Sequence, residues 1–163
     1  MTDRASRAAA QWAVARPDLD PLAMETLGRL HEASILVTRE RQAPLYAHHG
    51  LQHGEFDVLA TLRRAPSPDG LTPTALYEAT MMSSGGMTAR LDRLQKSGLI
   101  ERTPHPSDRR ASLVRLTAKG FDLIDTLMPL HMAESQAMLA DLSRDEQAAL
   151  SALLARLIGA LEP

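Results

Sequence analysis

Apolar positions recur with helical spacing over most of this chain, and the pattern breaks in one place only. In "PDLDPLAMETLGRLHEASILVTRE", Leu22, Leu27, Leu30, Ile35 and Val37 follow Asp20 and Pro21, which predicts a long helix bent or ended near Pro44. A short segment containing Trp12 precedes it. "HGEFDVLATLRRA" places Phe56, Leu59, Ala60 and Leu62 on one helical face, and "PSPDG" is loop chemistry. "LTPTALYEAT" predicts a short helix with Thr72 as N-cap and Pro73 in the first turn. The next helix, "MMSSGGMTARLDRLQKSG", buries Met87, Leu91 and Leu94 and stops at Gly98. The spacing then turns strand-like in "LIERT" (99–103) and "SLVRLT" (112–117), joined by the turn "PHPSDRRA". Thr117 caps a long helix with a bend expected at Pro129. Ser143 and Glu146 form a capping box ahead of the stripe Leu150, Leu153, Leu154, Leu157, Ile158 and Leu161.

Helix, turn, helix and then a hairpin is the winged helix-turn-helix order, so the expected fold is mainly α. A single domain spans 1–163. Its DNA-binding lobe covers 51–117, with the wing at 99–117, and helices from both chain ends, 6–48 and 118–162, form a dimerisation region. The apolar stripe of the last helix supports this assignment, because two-fold protein symmetry matches palindromic DNA.

Composition narrows the chemistry. Of the 163 residues 44% are hydrophobic and only 3% aromatic, which suits a helical globular chain. With no cysteine, disulfides, thiolate metal sites and thiol redox switches are excluded. No long apolar run or leader stands out, so the expectation is a cytoplasmic protein without a membrane partner. The net charge is −2, yet between Ser83 and Gly120 eight Lys and Arg residues stand against three Asp and Glu. Cations concentrated in one segment of an otherwise acidic chain fit a local phosphate-binding face.

The second helix of the motif carries the candidate DNA contacts. At about 100° per residue, Gly85, Gly86, Ala89, Arg93 and Lys96 lie opposite the buried stripe. Glycine inside a helix costs about 1 kcal/mol relative to alanine, so the two glycines are expected to face whatever the helix approaches. Ser83, Ser84 and Thr88 can donate hydrogen bonds there, and Arg93 can reach a phosphate or a guanine edge. Thr72 and Thr74 on the preceding short helix complete this group. Arg109 and Arg110, beside Asp108 at the hairpin tip, suit a narrow minor groove. Arg90 lies about 60° from the centre of the stripe, where it can look inward. Asp57, flanked by Phe56 and Val58, is expected to be partly buried and to need a cation. An ion pair with Arg90 or Arg102 and a ligand site both answer that need.

Other chemistry is less well served. His48, His49 and His53 invite a zinc reading, but no cysteine or carboxylate set completes a site, so they are read as surface histidines and no metal or cofactor is expected. A phosphate loop, a zinc-protease motif and a nucleophile elbow are all missing, which argues against an enzyme.

"LTPTAL", "SSGGMTARLDRLQKSGLIER", "DRR" and "LVRLTAKG", in this order and spacing, resemble the MarR family of transcriptional regulators over nearly the full chain. The resemblance implies a homodimer with two winged-helix lobes that represses transcription until a small molecule releases it. A narrower likeness is to the urate-responsive branch, which carries an N-terminal tryptophan, one Asp and two Arg. Trp12, Asp57, Arg90 and Arg102 match those positions, and the branch implies a urate-like or phenolic effector held by them.

Overall fold

Caps and prolines set most helix ends. The computed structural model describes residues 3–52, 54–65, 67, 69–80, 86–107 and 111–162. They form α1 (Arg4–Ala15), α2 (Leu22–Leu36), a π-helical turn (Val37–Gln42), α3 (Ala43–His48), α4 (Glu55–Arg64), α5 (Pro73–Ala79), α6 (Met87–Lys96), β1 (Ile100–Pro104), β2 (Ser112–Leu116), α7 (Ala118–Met138) and α8 (Arg144–Leu161). The chain divides into two compact units, Met1–His53 and Gly54–Pro163.

In the first unit α1 packs on α2 through the buried Ala5 and Ala9. Pro44 cannot donate a backbone hydrogen bond, and the expected bend is taken upstream of it. The turn widens to π geometry, with Ala43 N–H reaching Thr38 O, five residues back. Asp3 caps α1, accepting from Ser6 N–H at 2.7 Å and from Arg29 Nε at 2.8 Å. The Ser6 bond first, and then Arg29, lower its pKa from 3.8 to about 2. Because the folded value lies below the unfolded one, the carboxylate's contribution is complete above about pH 3.8 and is lost as pH falls through about 2. Fluorescence of Trp12, the one tryptophan in the chain, is expected to show an acid step near pH 2 that disappears in Asp3→Asn. An identical step in both proteins counts against this cap.

The second unit is built around α4. Phe56, Val58, Leu59, Ala60 and Leu62 are buried together with Leu76 of α5, Met87, Leu91 and Leu94 of α6, Val114 of β2, and Ile124 and Leu127 of α7. Thr72 caps α5 as expected, accepting from Ala75 N–H at 3.1 Å. At the other end of α5, Arg64 Nη2 donates to Ala79 O at 2.8 Å, which satisfies a terminal carbonyl and ties α5 to α4. Gly98 ends α6 with φ 71°. Leu99 N–H reaches Leu94 O at 3.0 Å and Gly98 N–H reaches Gln95 O at 2.9 Å, so the chain turns directly into β1.

β1 and β2 pair antiparallel from Ile100 opposite Leu116 to Pro104 opposite Ser112, and Leu71 adds a bridge to Val114. Thr117 caps α7, and its hydroxyl also donates to Gly98 O at 2.7 Å. Gly120 in the first turn of α7 lies so close to the α6–β1 turn that a Cβ there would stand 2.0 Å from Leu99 O. Arg63 joins α4 to α7 by donating to both carboxylate oxygens of Asp125, at 2.7 and 3.3 Å, while its guanidinium stacks 4.3 Å from the Phe121 ring centre. Pro129 lies inside α7. The Ser143–Glu146 capping box opens α8 as the sequence predicts.

Candidate nucleic-acid interface and effector residues

α6 presents two faces, and the apolar one is the stripe predicted from its spacing. Met87, Leu91 and Leu94 are buried, while Thr88, Ala89, Arg93 and Lys96 are exposed. The helix does not contain Gly86, however. It begins at Met87, and Gly86 precedes it as a left-handed cap with φ 89°. Backbone conformation, which side chains with a Cβ resist, is a physical reason for Gly86. The Arg90 guanidinium lies over this glycine, 3.6 Å from where a Cβ would sit. Gly85, Ser83 and Ser84 lie outside the described residues, as do Asp108, Arg109 and Arg110 at the wing tip.

The ion pairs differ from those expected. Arg102 donates to Asp92 of α6 at 2.7 Å, so it is not the partner of Asp57. Asp57 is half-buried and faces His131 of α7. Burial lowers the His131 pKa and the Asp57 charge opposes that shift, while the His131 ring packs 4.7 Å from Phe56. The deeply buried carboxylate of α4 is instead Glu55, only 4% exposed, and it receives Arg93 Nε at 2.7 Å. Sequence reasoning missed Glu55 because it opens the helix next to a glycine, where acidic residues ordinarily serve the helix dipole in solvent. Its spacing of four from Leu59 and seven from Leu62 places it on the core face, and that was the available signal.

The two threonines assigned to DNA differ in exposure. Thr74 is exposed, whereas Thr72 is half-buried with its oxygen engaged as a cap. Trp12 is half-exposed on α1. A groove of about 390 Å³ in the first unit is lined by Arg4, His31, Glu32, Ile35 and Leu36 among others, and Trp12 does not line it. His48 and His49 meet edge to face at 5.3 Å, and His53 lies outside the described residues. Among the described residues no group of three His, Asp or Glu side chains is placed to hold a metal, and no helix is long and apolar enough to cross a membrane.

α8 has no buried residue among those described. Leu153 and Ile158 are 60% and 55% exposed, and Leu150 and Leu161 are exposed as well. α2 is also without a buried residue and exposes Leu22, Leu27, Leu30 and Leu36. So much apolar surface on helices marks an interaction face.

A family model for the MarR family matches residues 49–111, which covers α4 to β1 and stops just before β2. The HTH-type transcriptional regulator PecS of Dickeya dadantii (strain 3937) is 37% identical over 146 residues, 90% of this chain and 87% of PecS. Among solved structures, a cysteine-to-serine variant of MarR from E. coli complexed with operator DNA superposes with a TM-score of 0.71 at 26% identity, covering 90% of this chain and 96% of that one. The PcaV transcriptional regulator from Streptomyces coelicolor, in complex with its natural ligand, gives a TM-score of 0.67 at 26% identity over 85% of this chain and 92% of that one. These relatives are regulators and not enzymes. With a buried α4–α6 core, a two-stranded wing and this extent of similarity, the chain belongs to the MarR family of winged helix-turn-helix transcriptional regulators.

Proposed function

We propose that the protein is a homodimeric repressor that binds a pseudo-palindromic operator and leaves it when a small aromatic or urate-like anion binds. The observation that carries this reading is α6, buried along Met87, Leu91 and Leu94 and open along Thr88, Ala89, Arg93 and Lys96, beside a wing whose turn is basic in sequence. α6 enters the major groove, with Ser83, Ser84, Gly85, Thr88 and Arg93 toward DNA and Thr72 and Thr74 beside them. Arg109 and Arg110 enter the adjoining minor groove. The E. coli relative complexed with operator DNA supports operator binding in general.

Effector recognition is assigned to Trp12, Asp57, Arg90 and Arg102. An indole offers a stacking face, a guanidinium pairs an anion, and a carboxylate responds to the charge of a bound anion. A relative with a bound natural ligand supports effector response in general, and a urate-like compound is the choice that the Trp, Asp and two Arg set favours.

The test is titration of the gene's own upstream DNA at several salt concentrations. Affinity is expected to fall steeply with salt. Arg110→Ala is expected to lower it by about 5- to 150-fold, the equivalent of about 1–3 kcal/mol. Adding urate, xanthine or a simple phenol should release the DNA, and Trp12→Ala should blunt that release. Salt-independent binding would remove the DNA reading, and release unchanged by Trp12→Ala would remove the effector assignment.

A further inference from the structure

We infer that Glu55 is a positioning residue for DNA binding, holding Arg93 by its Nε so that the two terminal nitrogens of the guanidinium face a phosphate. This rests on the reading of α6 as the helix that meets DNA. Arg93 is exposed on its solvent side and bonded at 2.7 Å to a carboxylate that is 4% exposed. A guanidinium carries five N–H donors in a rigid plane. With Nε engaged, the four donors on Nη1 and Nη2 have no partner among the described residues. Fixing one edge of the plane fixes the direction of the opposite edge, and the rotamer freedom of a long side chain, which binding would otherwise remove, is already reduced.

The ligand chemistry follows from position. Base edges are read mainly from the N-terminal part of a recognition helix. Arg93 lies in the second turn of α6, which starts at Met87, toward its C-terminal end. A forked donor there is suited to two oxygens of one backbone phosphate. Glu55 itself stands at the start of α4, where the helix dipole favours its charge, behind Gly54 with φ 86°. It therefore belongs to a different element from the arginine it holds.

The sign of the Glu55→Gln effect separates this role from plain electrostatics. Removing an anion near a DNA-binding face raises affinity for a polyanion by Coulomb's law alone. Loss of positioning lowers it. The experiment is a double-substitution cycle with Glu55→Gln and Arg93→Gln, using a duplex selected from randomised DNA by the wild-type protein, with circular dichroism and thermal melting to establish that each variant is folded. Arg93→Gln is expected to weaken binding about tenfold and to reduce the slope of log K against log salt by about 0.9, the value for one phosphate. Glu55→Gln should weaken binding by a similar factor with a similar loss of slope, and the double variant should bind no worse than Arg93→Gln.

Tighter or unchanged binding by folded Glu55→Gln overturns the inference, and so do additive effects. Wild-type affinity in Arg93→Gln instead removes Arg93 from the DNA contacts, a separate failure that Arg110→Ala would not share. If Glu55→Gln does not fold, Glu55→Asp replaces it in the cycle. Asp keeps the charge but shortens the reach, so the same loss of slope is expected, and an unchanged slope overturns the positioning role.

Discussion

Leu153→Asp combined with Ile158→Asp is expected to leave a folded monomer that no longer binds operator DNA with useful affinity. Both side chains are more than half exposed in the single chain, so neither is needed to fold it. They flank the apolar stripe of α8, an 18-residue helix about 27 Å long. Burying a leucine or isoleucine side chain contributes about 1.5–3 kcal/mol. A two-fold axis counts each position twice, and because each side chain is a little over half exposed beforehand the four contribute about 3–7 kcal/mol, most of the free energy of a micromolar complex. Four carboxylates in their place would also have to be desolvated. Sedimentation equilibrium at micromolar concentration should give the monomer mass, with affinity for a two-half-site duplex falling at least a hundredfold because each half-site is then bound alone. A dimer that survives both substitutions would place the interface elsewhere.

Gly120→Ala is expected to destabilise the second unit by about 3 kcal/mol, the upper end for overpacking. The added Cβ would stand 2.0 Å from the carbonyl oxygen of Leu99 and 2.9 Å from its carbon, both backbone atoms that no rotamer change can move. Relief requires α7 to slide away from the turn that joins α6 to β1. That would strain the bonds from Thr117 to Gly98 O and from Lys119 to Ser97 O, at 2.7 and 2.9 Å. Gly159→Ala is the control. It lies in α8 with nothing within 4 Å of its Cβ position, and alanine there should add up to about 1 kcal/mol of helix stability. Urea denaturation compares the two, and equal midpoints would mean that the contact between Gly120 and Leu99 is not as close as described.

Gly86 and Gly120 show where reading a chain from its pattern reaches its limit. Gly86 looks like an expensive residue inside a helix, yet it is a left-handed cap just before the helix begins. Periodicity locates a helix to within a turn but does not reveal the sign of a backbone angle. Gly120 looks like an ordinary helical glycine in "LTAKG", and only the approach of another strand of backbone explains it.

The sequence by itself determined the order of elements from α4 to α8, the caps at Thr72, Thr117 and Ser143, the stop at Gly98 and the buried face of α6, because each depends on residues within one or two turns of one another. It also pointed to the family, through motifs that are local for the same reason. Only the tertiary structure decided which charges meet. Arg93 with Glu55, Arg63 with Asp125 and Arg102 with Asp92 are separated by 38, 62 and 10 residues in the chain. Which guanidinium reaches which carboxylate depends on how α4, α6, α7 and the wing pack, and helical spacing within one element carries no information about its partner.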